Sequence, residues 1–122
     1  MKEFEKLVSM LLHSKTQVHV FHLQTKSHAE HMALGGYYGG IDDLVDGLVE
    51  SYQGKNGLIK NYESFKLEQY KNNSQVIAYF KMLDKEVASL RPSVEGESYL
   101  ENQIDTIVEL IQSTIYKLTF LK

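Results

Sequence analysis

Hydrophobic side chains recur at three- and four-residue intervals along almost the whole chain, and no stretch alternates apolar with polar positions as a half-buried strand would. That pattern predicts an all-α protein. Phe4, Leu7, Leu11, Val18, Phe21 and Thr25 fall on one stripe, which predicts a first helix over residues 3–26 with Ser14 as the polar break in its buried face. Ser27 followed by Glu30 is a capping-box pattern, in which each side chain satisfies the other's free backbone donor, so a second helix is expected from residue 28. Its apolar line, Leu34, Tyr38, Ile41, Val45, Leu48 and Tyr52, runs at heptad-like spacing to residue 53, and Gly54 supplies an end. Extended backwards, the same line reaches His31.

Residues 55–72 are polar and aromatic with weak periodicity and are too long for a simple bundle turn, so they predict a crossover with room for a short helix. A third helix is expected over 74–90, with Val76, Ile77, Phe80, Leu83, Val87 and Leu90 inward and Pro92 closing it. Ser98 and Glu101 open a fourth, over 98–120, that buries Leu100, Ile104, Ile107, Ile111, Ile115 and Leu118. Four helices with one long connection between the second and third predict a ferritin-like four-helix bundle rather than the simple up-down form. Gly35, Gly36, Gly39 and Gly40 interrupt the second helix, each disfavoured by about 1 kcal/mol against alanine. Either these small residues admit a close neighbour such as a second subunit, or the chain breaks there into a hairpin. The apolar line passes through the glycines without a change of phase, so a continuous helix is expected.

A chain of 122 residues forms one domain, residues 1–122, small enough that a ligand site can need a second subunit. The absence of cysteine excludes disulfides, structural zinc fingers and iron–sulfur clusters, leaves only nitrogen and oxygen to hold a metal, and fits a reducing compartment. Charges interleave the apolar residues at the N-terminus and no run approaches the roughly 20 apolar residues of a membrane span, so a soluble, cytoplasmic protein with no membrane partner is expected. The net charge is −3 and the 13 basic residues are dispersed, which disfavours nucleic acid as a partner.

Candidate chemistry is concentrated in residues 19–50. All five histidines, His13, His19, His22, His28 and His31, lie in the first quarter of the chain, and the carboxylates Asp42, Asp43, Asp46 and Glu50 follow at once. Imidazole with carboxylate is a ligand set for iron, manganese or zinc. Asp46 and Glu50 occupy successive turns of one ridge, but His31 and Asp46 are 15 residues apart, about 22 Å along a helix at 1.5 Å per residue. The two groups are therefore either separate features, or a two-fold-related subunit brings its carboxylates to the histidines of the first. Asp105 and Glu109 are a further pair one turn apart, but neither is followed by the histidine of a Glu-x-x-His di-iron signature.

The stretch HVFHLQTKSHAEHMALGGYYGGIDDLVDGLVESYQG resembles the corresponding part of Dps proteins, the mini-ferritin branch of the ferritin-like superfamily. His31, Asp46 and Glu50 reproduce the 15- and 19-residue spacings of that family, and His22-Leu23 stands where the family has His-Trp. The chain is also similar to short Dps-like proteins of tailed bacteriophages, which share the HxQTKS-x-AEH and D-x-x-x-E-x-YQG patterns. The resemblance implies iron, or another divalent metal, at sites shared across an interface formed through helix two. His22 and His31 would come from one chain and Asp46 and Glu50 from the other, giving a ferroxidase in a homo-oligomeric, hollow shell. The interval from His22 to His31 is nine residues where Dps proteins have twelve, Leu23 replaces the tryptophan, and Gly35 stands where a further carboxylate is expected. These departures support the other expectation, a non-catalytic helical oligomer that has lost the metal chemistry.

Overall fold

Four α-helices carry the chain: α1 (Lys2–Gln24), α2 (His28–Asn56), α3 (Asn73–Leu90) and α4 (Ser98–Phe120), with a 3-10 turn at Arg91–Val94 joining the last two. The structure, a computed structural model, describes residues 2–122, and among them there is no strand. No helix of the described residues is long and apolar enough to cross a membrane.

Cross-helix contacts fix the directions. Phe4 stacks on Tyr52 with ring centroids 3.8 Å apart, while at the other end His22 meets His31, so α1 and α2 are antiparallel. Gly40 faces Leu110 and Lys55 pairs with Glu97, so α2 and α4 are antiparallel as well. The connection after α2 must then return along the bundle before α3 can start. Ser9, Gln17 and Gln24 of α1 touch Glu63, Glu68 and Tyr70 in turn. Fifteen helical residues from Ser9 to Gln24 span about 22 Å, and seven residues from Glu63 to Tyr70 reach about 23 Å only when extended. The connection over residues 57–72 is thus an extended strap laid along α1, and it carries no helix where room for a short one was expected. As a result α2 and α3 point the same way.

The core repeats of all four helices are buried as the spacing predicts, including Phe4, Leu7, Leu11, Leu34, Ile41, Leu48, Phe80, Val87, Ile104, Ile107 and Ile111. Several details differ. Of the adjacent Tyr37 and Tyr38 on α2, it is Tyr37 that is buried, since a 3.6-residue period admits either and only Tyr37 meets Phe80 of α3, edge to face at 4.9 Å. For the same reason Tyr79 and Thr114 are buried, and Ile77 and Ile115 lie half-buried beside them. The first helix stops at Gln24, leaving Thr25 in the turn, and α2 continues past Gly54 to Asn56. Gly57 ends it because its φ of 88° is closed to side-chained residues, while its N–H still bonds the Gln53 carbonyl at 2.9 Å. At α4, Ser98 is the first helical residue rather than the cap, and Glu97 precedes it without a side-chain cap bond.

Half of the expected capping box at α2 forms. Ser27 Oγ accepts from the Glu30 N–H at 3.2 Å, but the Ser27 N–H turns to Thr25 Oγ1. The Glu30 carboxylate, buried in the bundle, accepts instead from Thr25 Oγ1 at 2.5 Å, Tyr70 OH at 2.6 Å and Asn73 Nδ2 at 2.6 Å. One side chain thereby joins the α1–α2 turn, the end of the strap and the first residue of α3.

Ser14, the polar break in the α1 stripe, is fully buried and donates to the Leu11 carbonyl at 2.7 Å, so the Tyr37 hydroxyl at 2.8 Å must be the donor to Ser14 Oγ. Burial also raises the Tyr37 pKa, which keeps the phenol protonated. Ser14→Ala leaves that hydroxyl without an acceptor and is expected to cost about 1–3 kcal/mol in urea unfolding. Adding Tyr37→Phe is expected to restore most of the loss, and a double variant no more stable than Ser14→Ala would show that the pair is not coupled.

A candidate site at the α1–α2 turn

The last turn of an α-helix leaves carbonyls without intrahelical partners, and the tight link between α1 and α2 brings a side chain to one of them. His31 Nδ1 bonds the His22 carbonyl at 2.9 Å, and His22 Nδ1 bonds the His31 carbonyl at 2.7 Å. A carbonyl only accepts, so each imidazole carries a proton on Nδ1. The two rings stack with centroids 3.6 Å apart and planes 18° from parallel. Nε2 of each ring has no partner among the described residues. Fixing Nδ1–H on a backbone carbonyl is how metal-binding histidines are commonly oriented, because it leaves the Nε2 lone pair for the ion.

Other rings extend the pair. His19 stacks on Tyr38 at 4.2 Å and lies 6.0 Å from His22, and His28 is 6.5 Å from His31. Tyr38, which the apolar repeat places in the core, is instead the end of this column of rings. His13 lies apart from it, against Phe65 of the strap at 5.5 Å; burial lowers its pKa, partly opposed by the nearby Glu68.

The structure therefore brings His22 and His31 together and keeps Asp46 and Glu50 apart from them. Both carboxylates are exposed on α2, which is continuous through all four of its central glycines, so the separation of about 22 Å along the helix axis holds within one chain. No group of three or more His, Asp or Glu side chains that could hold a metal forms among the described residues. Asp42 is held by Lys15 at 2.8 Å, while Asp46 and Glu50 make no hydrogen bond or ion pair within the described residues. On α4, Asp105 is engaged by Arg91 Nε at 2.9 Å and Nη2 at 3.0 Å, so it is not a free ligand.

Residues 22–118 match a family profile, beginning at His22 and running through the carboxylates to the last buried residue of α4. The chain belongs to DUF5856, a family of unknown function. No curated protein matches it. No solved structure matches it. Of the residues just described, His13 and His19 lie before the segment that defines DUF5856 membership, whereas the His22–His31 pair and Gly35 fall inside it.

Gly35 acquires a role that sequence reasoning did not assign. A Cβ there would stand 3.1 Å from His22 Cε1 and 3.4 Å from His22 Nδ1, so the absent side chain is what lets the imidazole lie on the α2 backbone. By contrast, nothing lies within 4 Å of a Cβ on Gly36 or Gly39. Gly35→Ala gains about 1 kcal/mol of helix propensity, but is expected to displace the His22 ring by a few tenths of an ångström. Nitrogen-15 NMR should show a weakened His22 Nδ1–H···O bond, with little net change in stability. An unchanged imidazole signal together with the full propensity gain would refute the packing role.

Proposed function

We propose that this protein is a Dps-like member of the ferritin-like superfamily that binds ferrous iron, or a similar divalent ion, at sites completed between subunits, and oxidises it. The observation that carries this reading is the His22–His31 pair, whose reciprocal Nδ1–H bonds orient both rings and leave Nε2 available. Exposed carboxylates without a partner among the described residues, at the 15- and 19-residue spacings of Dps proteins, supply the other half. In a two-fold pairing through α2, the partner subunit's Asp46 and the partner subunit's Glu50 approach His22 and His31. The donors suit iron: neutral imidazoles accept a borderline cation, and carboxylates favour the more highly charged ferric product. Iron is here the substrate. Each ferrous ion loses one electron, and one peroxide takes two with two protons and leaves as two waters.

A second reading has its own support. The ring stack, both Nδ1–H bonds and the Gly35 contact are complete within one chain, so the pair holds α1 to α2 with no metal. On that reading the protein is a non-catalytic helical oligomer.

Glu50→Ala separates the two without endangering the fold, since Glu50 is exposed. Anaerobic titration with ferrous iron is expected to saturate on the unaltered protein, and Asp46→Ala or Glu50→Ala is expected to weaken binding by at least about tenfold, with unchanged melting temperature. Absence of ferrous binding, with chelator changing neither the mass in solution nor the melting temperature, would reject the metal reading in favour of the second.

A further inference from the structure

An extended chain has no neighbour of its own for its N–H and C=O groups, and among the described residues the strap does not pair its backbone with any other backbone after the Gly57 cap. Polar side chains take that role. Gln53 Oε1 accepts from the Ile59 N–H at 3.0 Å and Ser9 Oγ from Glu63 N–H at 2.9 Å. Buried Gln17 both accepts from Glu68 N–H at 2.7 Å and donates to the Glu68 carbonyl at 2.9 Å, as a neighbouring strand would. Gln24 accepts from Tyr70 N–H, and Gln75 of α3 bonds the Gln69 carbonyl and the Lys71 N–H. Apolar anchoring is slight: residues 60–69 are all exposed, and Ile59 is the strap's contribution to the buried core, with Tyr70 half-buried.

We propose that residues 58–71 open as a single strap, hinged at Gly57 and at Asn72, and that this opening is a regular excursion of the folded protein that uncovers the groove between α1 and α3. Two features make the opening cooperative and low in cost. The strap spans Ser9 to Gln24 at nearly full extension, so there is no slack: a residue that swings out shortens the reach and pulls the neighbouring clamps off their partners. Each clamp is also replaceable by water once the strap lifts, since neither the glutamine amides nor the strap backbone are then left dry. Glu30 gives up the Tyr70 hydroxyl to water but keeps Thr25 Oγ1 and Asn73 Nδ2, which do not belong to the strap. The hinges suit the motion, because Gly57 already occupies positive φ and Asn72, extended at φ −166°, lies outside α3 while its side chain caps the helix. Phe65 and Glu68 of the strap form one wall of a groove of about 380 Å³ that is also lined by Met10 and His13 of α1 and by Tyr79, Met82 and Leu83 of α3. Lifting the strap removes that wall and withdraws Ile59 from the core, while the buried contacts among the four helices remain.

Native-state amide hydrogen exchange on the full chain tests this. The N–H groups of Glu63, Glu68, Tyr70 and Lys71 are expected to share one opening constant, well above that of core amides such as Leu34 and Ile107. Gln24→Ala and Gln75→Ala change clamps outside the core and are each expected to raise exchange at all four positions about tenfold, leaving the core amides unchanged. The distant Glu63 decides the matter. If Gln24→Ala speeds Tyr70 alone, the strap frays locally; if the four amides exchange only with the core, there is no separate opening. Either result overturns the proposal.

Discussion

The buried carboxylate of Glu30 is the constraint on which the arrangement of the helices depends. An ionisable group in the interior must be fully hydrogen-bonded, and Glu30 meets that demand by drawing in Thr25 from the α1–α2 turn, Tyr70 from the strap and Asn73 from α3. Two parts of the chain some 40 residues apart thus converge at one end of the bundle. Because the strap must reach this point from the far end of α2, its length, its extension and the shared direction of α2 and α3 are linked to where the carboxylate sits. The histidine that follows, His31, is delivered by the same first turn of α2, so the polar knot and the ring column form one structural unit.

Much of the helical plan is legible in the chain because it rests on local periodicity. Apolar spacing alone places four helices and most of their buried positions, and it carries α2 correctly through its glycines. Where period 3.6 leaves two adjacent candidates, as with Tyr37 and Tyr38, the choice is made by a facing helix that no local pattern reveals. The strap is legible as a long aperiodic stretch, but its conformation is not: Gln17 looks like an ordinary polar interruption of the α1 stripe until the residue it clamps, 51 positions later, is in view. A glutamine beside Val18 and one turn from Phe21 of the apolar stripe is the signal that was available.

The candidate site divides in the same way. That His22 and His31 belong together follows from their places at the end of one helix and the start of the next. That each bonds the other's carbonyl depends on ring orientations set in three dimensions. Gly35 illustrates the limit most clearly. Against the Dps pattern it is a missing carboxylate; in the folded chain it is the floor on which an imidazole rests. One residue can be read both ways, and only the structure supplies the second meaning.

The reciprocal bonds between His22 and His31 also act as a ruler. Each ring reaches the carbonyl of the residue that bears the other ring, across a link of three residues, Thr25 to Ser27. One residue more or less in that link would turn α2 by about 100° about its axis relative to α1, carrying one imidazole away from both its carbonyl and its stacking partner. The nine-residue interval is therefore a length set by geometry, and a single insertion or deletion in the link would give up the lock.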